Sequence, residues 1–194
     1  SSRRQWSEGL FAKALAVVET FSSPRAWAFT LLGLDAHCKG PQAERLRQVL
    51  AERLLSHLTA FERDKWTWFE PNLAYDNARL SQALIVTGIA THSRVYVDAG
   101  LRSLRWLMVL QTAPKGHFRP VGSASFGRSY AAPLAFDQQP LEATASISAC
   151  LAALRVDGET FEWQAHAMRA FQWFTGSNDL QTPLVDFQTG RCRD

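Results

Sequence analysis

Apolar residues recur along this chain at helical spacing, and polar or Gly/Pro-rich stretches break the recurrence at intervals. In residues 5–21, Trp6, Leu10, Ala14, Val17, Val18 and Phe21 return every three to four positions. Ser22, Ser23 and Pro24 end the run, so the segment reads as a helix. Residues 25–37 read as a second helix, closed by Lys39, Gly40 and Pro41. Residues 42–61 read as a third, with Leu46, Val49, Leu50, Leu54 and Leu58 on one stripe, and the two form a hairpin. After the aromatic loop KWTWFEP, residues 73–90 and 95–111 give a fourth and a fifth helix joined by the short turn THSR. A loop rich in Gly, Pro and Ser over 112–135 leads into two more, 140–156 and 160–175. No segment carries a strand period, although short extended pieces fit inside the long loops. The chain therefore reads as all-α, one domain of helical hairpins over residues 1–194.

The hairpins repeat. Tyr75-Asp76-Asn77 with Leu80 matches Phe136-Asp137-Gln138 with Leu141, in each case an aromatic, an acid, an amide and then a leucine, 61 positions apart. Each match ends a long loop and opens the first helix of a hairpin, and each second helix carries a late tryptophan, Trp106 or Trp173. Loops alternate short and long, as in a ring of hairpins whose functional loops gather on one rim. Six such units would need about 366 residues, and this chain supplies about half of that.

Composition narrows the partners. Hydrophobic residues at 46% and charged ones at 20% suit a folded core. The net charge of +3 comes from residues dispersed along the chain, without the basic runs that track a phosphate backbone, which argues against nucleic acid. No apolar stretch reaches the roughly 18 residues of a membrane span, and SSRRQWSEGL lacks a signal-peptide core. Cys38, Cys150 and Cys192 are odd in number and far apart, the pattern of reduced packing thiols, so a cytoplasmic protein is expected. Gly122 and Gly127 do not follow a strand, so no phosphate-binding loop is indicated. HExxH and CxxC spacings are absent, so neither a cofactor nor a metal is expected.

The stretches WTWFEPNLAYDNARLSQALIVTG, FDQQPLEATASISACLAA and DFQTGRCRD, spanning residues 66–194, resemble a bacterial family of (α/α) toroid proteins found among glycan-metabolism and glycosyltransferase genes. That family is similar in fold to six-hairpin glycosidases and to N-acylglucosamine 2-epimerase-like proteins. The resemblance implies a carbohydrate-active protein. It also implies an upstream half and further helices beyond the CRD segment, which would make this chain part of a larger toroid, completed by the remainder or by self-association.

Sugar rings offer apolar faces for aromatic stacking and hydroxyls for bidentate hydrogen bonds. The long loops hold that mixture: Trp66, Trp68 and Phe69 around Glu70, then Tyr75, Asp76 and Asn77, and later Phe136, Asp137, Gln138 and Gln139. Glycoside hydrolysis needs two carboxylates across a scissile bond, about 5 to 5.5 Å apart for retention and wider for inversion. Asp76 and Asp137 are the expected pair, with Glu70 as the alternative proton donor. Both aspartates also suit helix capping, and Glu142 suits a dipole-stabilising or hydrogen-bonding role. A sugar epimerase or isomerase would instead need a histidine. His37, His57, His92 and His166 read as solvated or packed, whereas His117 stands beside Phe118 and Arg119 in a long loop. Arg191, Arg193 and Asp194 could bring a guanidinium to a sugar acid or phosphate. A third reading is a noncatalytic scaffold within a glycosyltransferase system.

Overall fold

The computed structural model describes residues 2–37, 40–158 and 160–193. Seven α-helices lie among the described residues: α1 (Ser2–Val18), α2 (Pro24–His37), α3 (Pro41–Phe61), α4 (Ala78–Thr91), α5 (Arg94–Leu110), α6 (Pro140–Ala153) and α7 (Thr160–Phe174). A 3-10 turn, Ser123–Ser125, interrupts the longest loop. Strand pairing among the described residues is confined to isolated bridges, Arg63 with Trp66, Thr112 with Phe118 and Val185 with Cys192.

The helices form two layers. In one, α4 packs between α2 and α6; in the other, α3, α5 and α7 each back the helix they follow. Helix α4 is buried nearly all round, from Ala78 and Leu80 through Ala83, Leu84, Ile85 and Val86 to Gly88, as a helix with neighbours on every side must be. It meets α5 across two glycines. A Cβ on Gly88 would lie 2.6 Å from the Val97 side chain, and one on Gly100 2.9 Å from the Ser81 carbonyl oxygen.

The α4 start differs from the periodicity, which suggests a helix from residue 73. Asp76 adopts φ 56°, a left-handed conformation that an L-residue helix cannot propagate, so the helix opens only after Asn77. Asp137 adopts φ 60° before α6, so the two matched corners share a backbone as well as a sequence. Helix α1 also departs from expectation. Leu15 and Val18 are buried, but Trp6, Leu10, Val17 and Phe21 of its apolar stripe face solvent.

Because short and long connections alternate between antiparallel helices, the long segments meet at one end. The Tyr130 N–H donates to the Pro71 carbonyl at 2.6 Å, joining the first long loop to the second. Asp179, in the segment after α7, joins the second to the third.

Candidate functional site

The two repeated corners are used differently. At the first, Asn77 is fully buried and works as a bracket. Its Oδ1 accepts from the Ala74 N–H at 3.1 Å and from Arg25 at 3.2 Å, and its Nδ2 donates to Glu142 at 3.0 Å. Glu142, on the first turn of α6 and 1% exposed, also accepts from the backbone N–H groups of Asp76 and Asn77 and from Gln111. Burial pushes its carboxyl up to about 7, against the N–H donors of Asn77 and Asp76 that favour the charged form. Arg25, on the first turn of α2, pairs with Glu70 and donates to the Tyr75 carbonyl at 2.6 Å. The N-termini of α2, α4 and α6 are thus joined by one buried polar chain.

This cluster absorbs several residues expected to meet a sugar. Glu70 is held by Arg25. Trp66, Trp68 and Phe69 are buried, at 5%, 0% and 0% exposure. Trp68 stacks on Trp106 at 5.6 Å and meets Phe69 edge-on, and Trp66 meets Trp106 at 4.9 Å. Their ring faces are covered by protein, which corrects the expectation that they present a stacking surface, and Asn77 is sealed in with them. Tyr75 stays exposed, with the Arg25 guanidinium 5.3 Å from its ring centroid. Asp76 is half-buried against Arg79 at 3.4 Å, and burial raises its carboxyl above the usual range.

The second corner opens outward. Phe136 is 62% exposed, and Asp137 is exposed beside it. Gln138 accepts from the Trp173 indole N–H at 2.8 Å and donates to Asp179 at 2.7 Å. Arg119 donates to both Asp179 oxygens, its Nε at 3.0 and 3.1 Å, and the His117 Nε2 meets Oδ1 at 3.1 Å. Burial alone would raise the Asp179 carboxyl, but donation from Arg119, Gln138 and His117 outweighs it and brings the group down to about 2. Two cavities flank this hub. One of about 230 Å³ is lined by Phe136, Asp137, Gln138, Trp173, Leu180 and Leu184 among others, and one of about 520 Å³ by Lys115, His117, Arg119, Ser177 and Gln181 among others.

No known family model, curated protein or solved structure matches the chain. The chemistry of the cleft therefore carries the functional argument by itself.

Five of the residues selected from the sequence, His117, Arg119, Phe136, Asp137 and Gln138, come together around Asp179. Asp76 stands in the other, largely closed cluster, so the two aspartates expected to pair occupy different settings. Neither takes the N-cap position, which falls to Asn77 for α4 and Gln139 for α6. Gln139 is exposed at that helix start. Arg191 is exposed in a turn in which its carbonyl accepts from the Asp186 N–H at 2.7 Å. His57 packs edge-on against Trp27, and His166 lies 6.0 Å from Trp163 and against Arg169. Cys150 is buried and Cys192 exposed. Cys38, Lys39 and Asp194 lie outside the described residues.

Asp179, Arg25, Gln111 and Lys115 escaped the sequence reading. The signal for Asp179 was Gly176-Ser177-Asn178 ahead of it, turn chemistry at the end of a second-layer helix, where the earlier long loops also begin. Among the described residues no group of three His, Cys, Asp or Glu side chains could hold a metal ion, and no helix is long and apolar enough to cross a membrane.

Proposed function

We propose that this chain is part of an (α/α) toroid of the six-hairpin type and that it binds a glycan in the cleft beside Asp179. One observation carries the reading: an exposed aromatic ring, Phe136, and the apolar Leu180 and Leu184 border the same cavity as Asp137, Gln138 and Asp179. That pairing of an apolar face with convergent carboxylate and amide groups is what a pyranose ring requires. Arg119 and Gln138 both donate to Asp179, so the polar side of the cleft is ordered before a ligand arrives.

Glycoside hydrolysis is the reaction we assign to it. Asp137, at the cavity mouth, is the carboxylate that acts on the bound sugar, while Asp76 lies in the other cluster and does not border the cavity. The test is calorimetric binding of a panel of neutral and acidic oligosaccharides together with an assay for released reducing ends. Replacing Asp137 with Asn should lower turnover of an accepted glycan at least a hundredfold while affinity changes by less than about tenfold, in line with loss of a group acting mainly in the transition state. Unchanged turnover would remove hydrolysis through Asp137 and leave binding.

Sugar epimerisation has one specific support, the contact of His117 with Asp179 at 3.1 Å, since a carboxylate-oriented imidazole is the arrangement of a general base. Exchange of a sugar carbon-bound hydrogen with deuterated water, abolished in His117→Ala and retained in Asp137→Asn, would favour it over hydrolysis.

A further inference from the structure

The larger cavity beside Asp179 differs in chemistry from its neighbour. Lys115, His117 and Arg119 line it from the loop after α5, with the Ser177 hydroxyl and the Gln181 amide opposite, and Asp179 is its one carboxylate. Asp179 takes the Nε and Nη2 edge of Arg119. The Nη1 edge is a separate pair of donors, and the exposed Lys115 brings a second fixed positive charge. Two fixed cations against one carboxylate leave a positive excess in a concave site, where partial desolvation strengthens attraction for an anion. The two cavities share Asn178 and Asp179 in their walls, so they are neighbours.

We propose that this cavity receives the anionic group, a carboxylate or a phosphate, of an acidic sugar whose ring occupies the Phe136 cavity. The inference rests on the glycan reading of that neighbouring cavity and adds the substrate class. A planar guanidinium edge suits the two oxygens of either anion, and the Lys115 ammonium supplies a point charge that suits both.

The test uses the full chain and three probes: inorganic phosphate, galacturonate and methyl β-galactoside. NMR signals of the His117 ring and the Arg119 Nε–H report on the cavity, and the ring of His57, packed against Trp27, serves as control. Phosphate should shift the His117 and Arg119 signals saturably and leave His57 unmoved. Lys115→Glu, in an exposed loop position, should weaken that response at least tenfold. Galacturonate should bind at least tenfold more tightly than methyl β-galactoside, and the Lys115→Glu variant should erase the difference. Absence of a saturable phosphate response, or one untouched by Lys115→Glu, overturns the anion site. Equal binding of the acidic and neutral sugars would do the same while leaving the glycan reading intact. Conversely, a Lys115-dependent phosphate response with no effect of either sugar on the Phe136 ring signals would overturn the acidic-sugar assignment together with the glycan reading.

Discussion

Asn77 and Gln138 hold the same place in the repeat, yet the amide of one is spent entirely inside the protein and that of the other at a cleft wall. Asn77 bridges Arg25 on α2 and Glu142 on α6, both nearly inaccessible to water. Removing it leaves a buried cation and a buried carboxylate each short of a partner, the costly kind of loss. Asn77→Ala should therefore destabilise the chain by roughly 2 to 4 kcal/mol. Gln138→Ala, beside a half-open cavity where water can replace the lost donor, should cost only about 1 kcal/mol. Urea denaturation followed by circular dichroism measures both. Similar losses would mean that the buried chain through Asn77 is no more critical than the exposed corner. The Asp179 hub is the counterpart on the functional side, since its partners come from both ends of the loop between α5 and α6 and converge on one carboxylate.

At the scale of elements, the contact between α4 and α5 is set by what is missing from Gly100. A methyl there would meet the Ser81 carbonyl oxygen at 2.9 Å and the Ile85 backbone nitrogen at 3.0 Å, neither of which can swing aside as a side-chain end could. Gly100→Ala should cost about 2 kcal/mol or more, because two packed helices must separate. Gly9→Ala, on a helix where a new Cβ meets nothing within 4 Å, should instead stabilise by up to about 1 kcal/mol through helix propensity. Thermal melts of the two variants should move in opposite directions, and a shared direction would show that backbone approach does not govern Gly100. Such elements were largely legible in the sequence, because helical period and turn residues are local signals, and α5, α6 and α7 begin within a residue of where the pattern puts them. The start of α4 was less so, since the left-handed turn at Asp76 leaves no mark in hydrophobicity. The site was legible in part. His117, Arg119, Phe136, Asp137 and Gln138 were found from residue chemistry, but their organiser, Asp179, arrives from a segment about 40 positions after Gln138. KWTWFEP has the composition of a sugar platform, and only its packing on Trp106 reveals that the rings are turned inward.

For the whole molecule, Glu142 and Asp179 make stability depend on pH in opposite senses. The folded Glu142 carboxyl lies near 7 and its unfolded value near 4.5, so the native state holds a proton that the unfolded chain releases. That contribution is fully present below pH 4.5 and is lost as pH rises towards 7, on the order of 3 kcal/mol. Asp76, raised in the same direction, adds to the decline. Asp179 works the other way. Held near 2 against an ordinary 3.8, it contributes stability that is present above pH 3.8 and lost as pH falls towards 2. Glu142 and Asp76 thus favour acidic over neutral pH, Asp179 limits that preference below pH 3.8, and His166, whose imidazole burial holds below its ordinary value, opposes it from the neutral side. Urea midpoints measured from pH 3 to 8 should trace these limbs. In Glu142→Gln the decline above pH 4.5 should shrink to the smaller slope left by Asp76, while the acid limb set by Asp179 persists. An upper limb of the same steepness in the wild-type chain and the variant would show that the carboxylate joining α4 to α6 is not the group that titrates.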